Sequence, residues 1–281
     1  MVGKKGKKAS QWIVFAVLVV ISVLALAPFA FMVISSFKPG QELLRNGVNM
    51  EINLDAMSWK NYWTLFTENN GIYLHWFKNS LLITGMYTGF SLFLSSIVGY
   101  GLAKYDFKGK NLVFAIVLLV MMVPVEILIL PLYKLMISMK LIDTYLGVVL
   151  PFMVSPFAVF FFRQSSVSIP KDFMEAARID GCGEFRIFFS IMMPLLKPAF
   201  GAMMILQAMN SWNSLVWPLI VLRSTEKLTL PIGLASLITP YGNNYDMLFP
   251  GAVMSIIPIV IIFMLNQKAF IEGLTVGGVK G

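Results

Sequence analysis

The sequence predicts an all-α, polytopic membrane protein with six transmembrane helices. Three observations carry that prediction. Hydrophobic residues make up 58% of the 281 and charged residues 13%, whereas a soluble domain carries about a quarter charged residues. The mean hydropathy is +0.78. The apolar residues also fall in long runs, each close to the ~20 residues a helix needs to cross the hydrocarbon. A net charge of +8 would point to nucleic acid in a soluble protein; here it is assigned to basic loops facing anionic lipid, with no nucleic-acid partner. Cys182 is the one cysteine and His75 the one histidine. An internal disulfide is thereby excluded, and no His-rich metal cluster or metal cofactor is expected.

The chain opens on Lys4, Lys5, Lys7 and Lys8, followed by an apolar run from Trp12 to Phe37. Ala25-Leu26-Ala27 imitates a signal-peptide cleavage site, but Pro28 would follow the cut and the run outlasts a signal core. It is read as the first span. Lys38 to Tyr73 is a polar connection whose Trp59, Tyr62, Trp63 and Phe66 suit an amphipathic segment at the membrane interface. The second span covers Leu74 to Ala103, and a short basic loop ending at Lys110 follows. The third covers Leu112 to Leu135 with Pro124 and Pro131 inside it, and the fourth Tyr145 to Phe162 with Pro151 and Pro156. The fifth covers Ala199 to Leu222 and the sixth Leu248 to Leu265, joined by a polar connection from Arg223 to Met247. In domain terms, 1–73 holds the basic tail, first span and extracytoplasmic segment. The remaining core is 74–270, and 271–281 is a tail.

Six spans place both termini on one side. With the N-terminus inside, the inner segments hold 14 of the 22 basic residues and the outer segments 8, so the excess of Lys and Arg inside favours cytoplasmic termini. The polar interval from Pro170 to Pro198 then lies in the cytoplasm. Its pattern is helix, glycine turn, helix. Phe173, Ala176, Ala177 and Asp180 share one face at i, i+3, i+4 and i+7, and Gly181 sits where a left-handed C-terminal residue is wanted. Phe185, Phe188, Phe189 and Met192 repeat that spacing before Pro194, which is expected to stop the second helix. The small-residue face invites close approach and the phenylalanine stripe an apolar anchor. A plain connection between two membrane helices accounts for the periodicity equally well.

No nucleotide loop, zinc-protease motif, paired-cysteine motif or nucleophile elbow occurs, so no catalytic residue is assigned. Glu126 is the sole acid inside a predicted span, about 21 Å along the third helix at 1.5 Å per residue. An ionisable group there either lines a watered path or holds a bend at the flanking prolines. The fifth span carries Gln207, Asn210, Ser211, Asn213 and Ser214. Gln207, Asn210, Ser211 and Ser214 fall on one helical face, with Asn210 about 18 Å above Pro198. Amides and hydroxyls beside Trp212 and Trp217 suit a neutral polyhydroxylated solute. Interhelical hydrogen bonding is the competing use of the same groups.

Glu175-Ala-Ala-Arg-Ile-Asp-Gly181, continuing through Ile191 to Met192-Met193-Pro194, resembles the "EAA" loop of the inner-membrane permeases of binding-protein-dependent ABC importers. Asn79-Ser-Leu, Pro131-Leu-Tyr, Ser211-Trp-Asn, Trp217-Pro-Leu-Ile and the tail from Gly273 to Gly281 resemble the carbohydrate-uptake subgroup with its maltose-type second permease. Cys182-Gly183, Met192-Met193 and Ser214 depart from the usual pattern, the last replacing a frequent acid.

The resemblance implies a type I ABC importer permease fold. It also implies a heterodimer with a second permease subunit in the cell membrane, two separate ATP-binding subunits, an extracytoplasmic solute-binding protein and a sugar substrate, an oligosaccharide such as a malto- or arabino-oligosaccharide, with no cofactor in this chain. Glu175, Ala176, Ala177, Asp180 and Gly181, within the loop 163–197, would dock in the ATPase. Glu126, Gln207, Asn210, Ser211, Asn213 and Ser214 are the candidate pathway residues. A permease for a non-sugar solute and an ion-coupled secondary transporter are the other two readings.

Overall fold

The computed structural model describes residues 3–47, 57–239 and 242–275, and they form helices apart from one short hairpin. The chain divides into two compact units, Met1–Tyr73 with Leu234–Ile256 and Leu74–Gly233 with Ile257–Gly281.

In the first unit, α1 (Gly3–Ser36) runs unbroken through Pro28 and is followed by α2 (Gly40–Asn46) and α3 (Lys60–Thr67). The apolar side chains of α1 face outward along most of its length. That is the arrangement of a helix whose solvent is lipid. The aromatic segment foreseen between Trp59 and Phe66 is α3, and it is amphipathic. Asn61 and Leu65 are buried, while Trp59 and Trp63 are 72% and 74% exposed on the other side. Asn61 Nδ2 donates to the carbonyls of Ser36 (3.0 Å) and Lys38 (2.7 Å), which satisfies the end of α1.

In the second unit, α4 (Ile72–Lys104) is the long central helix. The expected third span is two helices, α5 (Lys110–Met121) and α6 (Val125–Ser138), bent by 102°. The break falls at Met122–Pro124, where Pro124 is extended, and α6 then continues through Pro131. The fourth span is α7 (Tyr145–Val149), a 3-10 turn (Leu150–Phe152) and α8 (Pro156–Val167), bent by 46°. Thr144 and Ser155 accept from the amides of Gly147 and Ala158 and so start the two helices. Next come α9 (Asp172–Ile179), α10 (Glu184–Ile187), a π-helical turn (Phe188–Met192) and α11 (Met193–Leu195). They lead into α12 (Lys197–Trp212), α13 (Val216–Val221) and α14 (Leu230–Ser236). From Leu234 the chain belongs to the first unit again, where a hairpin of β1 (Ile238–Thr239) and β2 (Gly242–Asn243) precedes α15 (Tyr245–Thr275), whose residues from Ile257 onward belong to the second unit. Residues 276–281, the end of the expected tail, lie outside the described residues, as do 48–56.

Two span boundaries are corrected. Pro194 does not stop the second helix of the polar interval: it stands in the first turn of α11, where its missing N–H costs nothing. The fifth span ends at Trp212 rather than Leu222, because Asn213–Leu215 break the helix before α13. The membrane-length unit there is Glu184–Leu195 with Lys197–Trp212, bent by 78°. Three single helices are long and apolar enough to cross a membrane. Counting each bent pair as one span brings the described total to six.

Close packing sets the second unit. A Cβ on Gly99 of α4 would stand 2.8 Å from the backbone of Val159 and Arg163, so α4 and α8 meet backbone to backbone. Asn79, buried in α4, donates to the carbonyls of Glu226 (2.7 Å) and Leu228 (3.0 Å) and accepts from the Tyr145 hydroxyl (2.7 Å). The loop beyond α13 is also tied to Asp143. Burial pushes that carboxyl up, but hydrogen bonds from the Ser224 hydroxyl, the Arg223 and Ser224 amides and Lys227 outweigh burial and hold it far below the usual carboxylate range. A depressed folded-state value stabilises at pH above the unfolded value, about 4, and that stabilisation is lost as pH falls through the folded value. Asp143→Asn should therefore lower the thermal midpoint by a constant amount between pH 7 and pH 5. The gap to wild type should narrow only below about pH 4, which thermal unfolding of the purified protein at stepped pH will read.

Candidate functional site

Two surfaces of the second unit gather the residues singled out by sequence. The first is α9 and its turn. Met174 and Ala177 are 2% and 4% exposed, packed among Tyr100, Ile187, Phe188 and Met192. The opposite side leaves Glu175, Ala176 and Asp180 exposed. Pro170, Asp172, Phe173, Ala176, Ala177, Asp180 and Ile191 line a shallow depression of about 480 Å³. Ala177 thus serves inward packing as well as the outer face.

Gly181 has φ +77°, and the turn is a Schellman motif. The Gly181 amide donates to Arg178 (3.0 Å) and the Cys182 amide to Ala177 (2.9 Å). Arg178 forks onto Glu184 across this turn at 2.8 and 3.1 Å, and the Tyr105 hydroxyl donates to the same carboxylate. The helix–turn–helix is therefore a braced unit with one exposed side.

The expected phenylalanine anchor holds in part. Phe188 and Met192 are buried, but Phe185 is 82% exposed and Phe189 is 44% exposed. The π-helical turn at Phe188–Met192 breaks the 3.6-residue register on which the stripe was drawn. Ile179, 87% exposed, adds apolar area beside Glu175 and Ala176 that the periodicity did not assign to this face.

The second surface is a cavity of about 340 Å³ whose lining includes Glu126, Asn210, Ser211 and Ser214 together with Tyr87 and Trp217. These residues come from α4, α6, α12, the break before α13 and α13 itself. Glu126 lies in the first turn of α6, where the helix dipole favours a carboxylate. Its expected depth along a continuous third helix does not survive the 102° bend, because α6 no longer follows the axis of α5. Asn210 Nδ2 donates to the Tyr87 hydroxyl at 3.2 Å.

Two of the six candidate pathway residues stand apart from the cavity. Gln207 is 4% exposed and donates to Ser91 Oγ (2.5 Å) and the Tyr87 hydroxyl (3.4 Å), joining α12 to α4. Asn213 donates to the Met209 carbonyl of its own helix at 2.9 Å. Gln207 follows the competing, interhelical use, whereas Asn213 satisfies the end of its own helix. Tyr87 was missed by sequence reasoning; it is one of many polar side chains in its span, so nothing local marked it out. The lining offers an amide, three hydroxyls, a carboxylate and aromatic faces. Such a set binds hydroxyl-bearing solutes by hydrogen bonding and stacking.

A family model described as "Binding-protein-dependent transport system inner membrane component" matches residues 91–274. The "Arabinooligosaccharides transport system permease protein AraQ" of Bacillus subtilis (strain 168) is 58% identical over 261 residues, covering 93% of this chain and 92% of that protein. The protein of the same name from Halalkalibacterium halodurans (strain ATCC BAA-125 / DSM 18197 / FERM 7344 / JCM 9153 / C-125) is 51% identical over 278 residues, covering 99% of each. Among solved structures, a chain from the crystal structure of a bacterial ABC transporter involved in the import of the acidic polysaccharide alginate superposes with a TM-score of 0.82. It is 22% identical and covers 94% of this chain and 98% of that one.

Proposed function

Because this chain belongs to the family of binding-protein-dependent transport system inner membrane components, we propose that it is the permease subunit of an ATP-driven sugar importer that carries oligosaccharides. The observation that carries the solute class is the pair of relatives named for arabino-oligosaccharides, aligned over nearly the whole chain. The cavity's mixture of amide, hydroxyl, carboxylate and aromatic groups supports the same class.

In this reading the chain pairs with a second permease subunit, two ATP-binding subunits and an extracytoplasmic solute-binding protein. Both termini and the loop 163–197 face the cytoplasm. Glu175, Ala176, Ala177, Asp180 and Gly181 form or shape the docking element for the ATPase, and Glu126, Asn210, Ser211 and Ser214 face the solute path. ATP binding closes the ATPase pair, α9 moves with it, and the membrane helices pass from an inward-facing to an outward-facing state. The loaded binding protein then releases solute into the cavity. ATP shifts that balance only through contacts that differ between the two states, and a braced α9 transmits them without bending.

The test is uptake of radiolabelled arabino-oligosaccharides by vesicles holding the whole complex and its solute-binding protein. ATP-dependent accumulation is expected. Accumulation by vesicles that hold this chain alone would instead support an ion-coupled carrier. Failure of the cognate binding protein to bind any sugar in a calorimetric panel would move the chain to a non-sugar solute.

A further inference from the structure

We infer that Arg163 and Lys110, with the first turn of α5, form a site for the phosphate group of an anionic phospholipid. Asp106, Phe107, Gly109, Lys110, Asn111, Leu112 and Arg163 line a surface pocket of about 410 Å³. The pocket lies at the ends of three apolar helices: α4 ends at Lys104, α5 begins at Lys110, and α8 ends one turn beyond Arg163. That is the depth at which lipid headgroups sit.

Arg163 is the central observation. Its guanidinium carbon lies over the Phe114 ring, 3.7 Å from the centroid, and no acceptor among the described residues receives any of its donors. Its Nε is fully buried without a partner. A guanidinium stays charged at any physiological pH and presents a planar fork of donors suited to phosphate oxygens. The buried Nε without a partner is costly, and the terminal nitrogens, which are not buried and have no acceptor among the described residues, are the donors an outside anion can meet.

Lys110 shares its charge with Asp106 at 3.2 Å, and Asp106 also accepts from Lys171 at 3.2 Å. The pocket lining thus holds two cations against one carboxylate that is itself divided between two lysines. Gly109, at φ +87°, turns the chain into α5, whose first-turn amides add partial positive charge on the same side. The lipid acyl chains would continue along the exposed apolar face of α5, which includes Leu112, Ile116 and Leu119. A free phosphate ion has no use for that face, and this favours the lipid. Anionic phospholipid is available to either face of a membrane, so the inference does not depend on orientation. Because Lys171 precedes α9 and shares Asp106 with Lys110, lipid at this site would bear on the loop that carries α9.

The experiment is native mass spectrometry of the intact transporter complex titrated with phosphatidylglycerol, phosphatidylcholine or inorganic phosphate. Wild type is expected to retain phosphatidylglycerol over phosphatidylcholine. Arg163→Gln is expected to weaken phosphatidylglycerol binding about tenfold, the loss of one charge-assisted contact. Lys110→Gln, which leaves the Arg163–Phe114 stack intact, should weaken it in the same direction, and Lys108→Gln, outside the pocket, should not. Undiminished retention in both pocket variants overturns the inference. So does equal binding of phosphatidylcholine, or displacement of phosphatidylglycerol by millimolar inorganic phosphate, which would assign the site to a free anion.

Discussion

Gly181→Pro is expected to abolish retention of the ATPase by the complex, and ATP-driven uptake with it. Proline fixes φ near −65° whereas Gly181 stands at +77°. It removes the N–H that donates to Arg178, and it disfavours the near-helical conformation of Asp180 before it. The combined cost is about 3 kcal/mol or more, by comparison with proline inside a helix. It falls on the turn that sets α9 against α10 and lets Arg178 reach Glu184. Gly181→Ala keeps the N–H and meets no atom within 4 Å, so only the left-handed conformation opposes it. It should cost about 1–2 kcal/mol and reduce ATPase retention without abolishing it. Glu175→Lys provides the complementary case. Glu175 is exposed, so the fold should be intact while docking is lost. Co-purification of the ATPase with each variant, beside a thermal melt, separates the two causes.

Gly147→Ala is expected to be the most damaging single methyl in the second unit. Its Cβ would stand 2.1 Å from the Leu141 carbonyl oxygen and 3.1 Å from Val221. The nearest neighbour is backbone, so relief requires moving the connection between α6 and α7. That same connection carries Asp143, and the Gly147 carbonyl receives the Trp217 indole at 3.3 Å. Overpacking costs run to about 3 kcal/mol, and a backbone clash belongs at the top of that range. A fall of several degrees in thermal midpoint should follow, together with loss of the cavity face built on Val148 and Trp217. Gly101→Ala in α4, with nothing within 4 Å of the added carbon, should be neutral or slightly stabilising.

The membrane class and the order of apolar segments were legible in the sequence because both rest on summed apolar length, which neighbouring helices do not alter. Gly181 was legible for a related reason: a glycine after a helical run has a local cause, and the Schellman hydrogen bonds realise it. What escaped was where helices break. Pro124 and Pro131 are equivalent by propensity, yet α5 and α6 part at the first and run through the second. Pro194 sits harmlessly in a first turn. Proline position relative to a helix start depends on the next helix's packing, which no window of sequence contains.

The candidate site divides along the same line. Glu126, Asn210, Ser211 and Ser214 meet at one cavity from distant parts of the chain. Gln207 shares a helical face with three of them, but Ser91 and Tyr87 of α4 draw it into the interior. Asn213 turns back on its own helix at the break after Trp212. Phe185 left the predicted apolar stripe because the buried face of α10 runs through Ile187 and Phe188, which turns Phe185 outward.

The central claim, that the exposed face of α9 is where the ATP-binding subunit docks, is tested most directly by site-specific cross-linking. In a Cys182→Ala background, Ala176→Cys should form an adduct with the ATP-binding subunit in the assembled complex, at a yield that changes on adding ATP. Trp63→Cys on α3 should form none. An adduct from Trp63→Cys, or none from Ala176→Cys in a complex that retains its ATPase, would contradict the account.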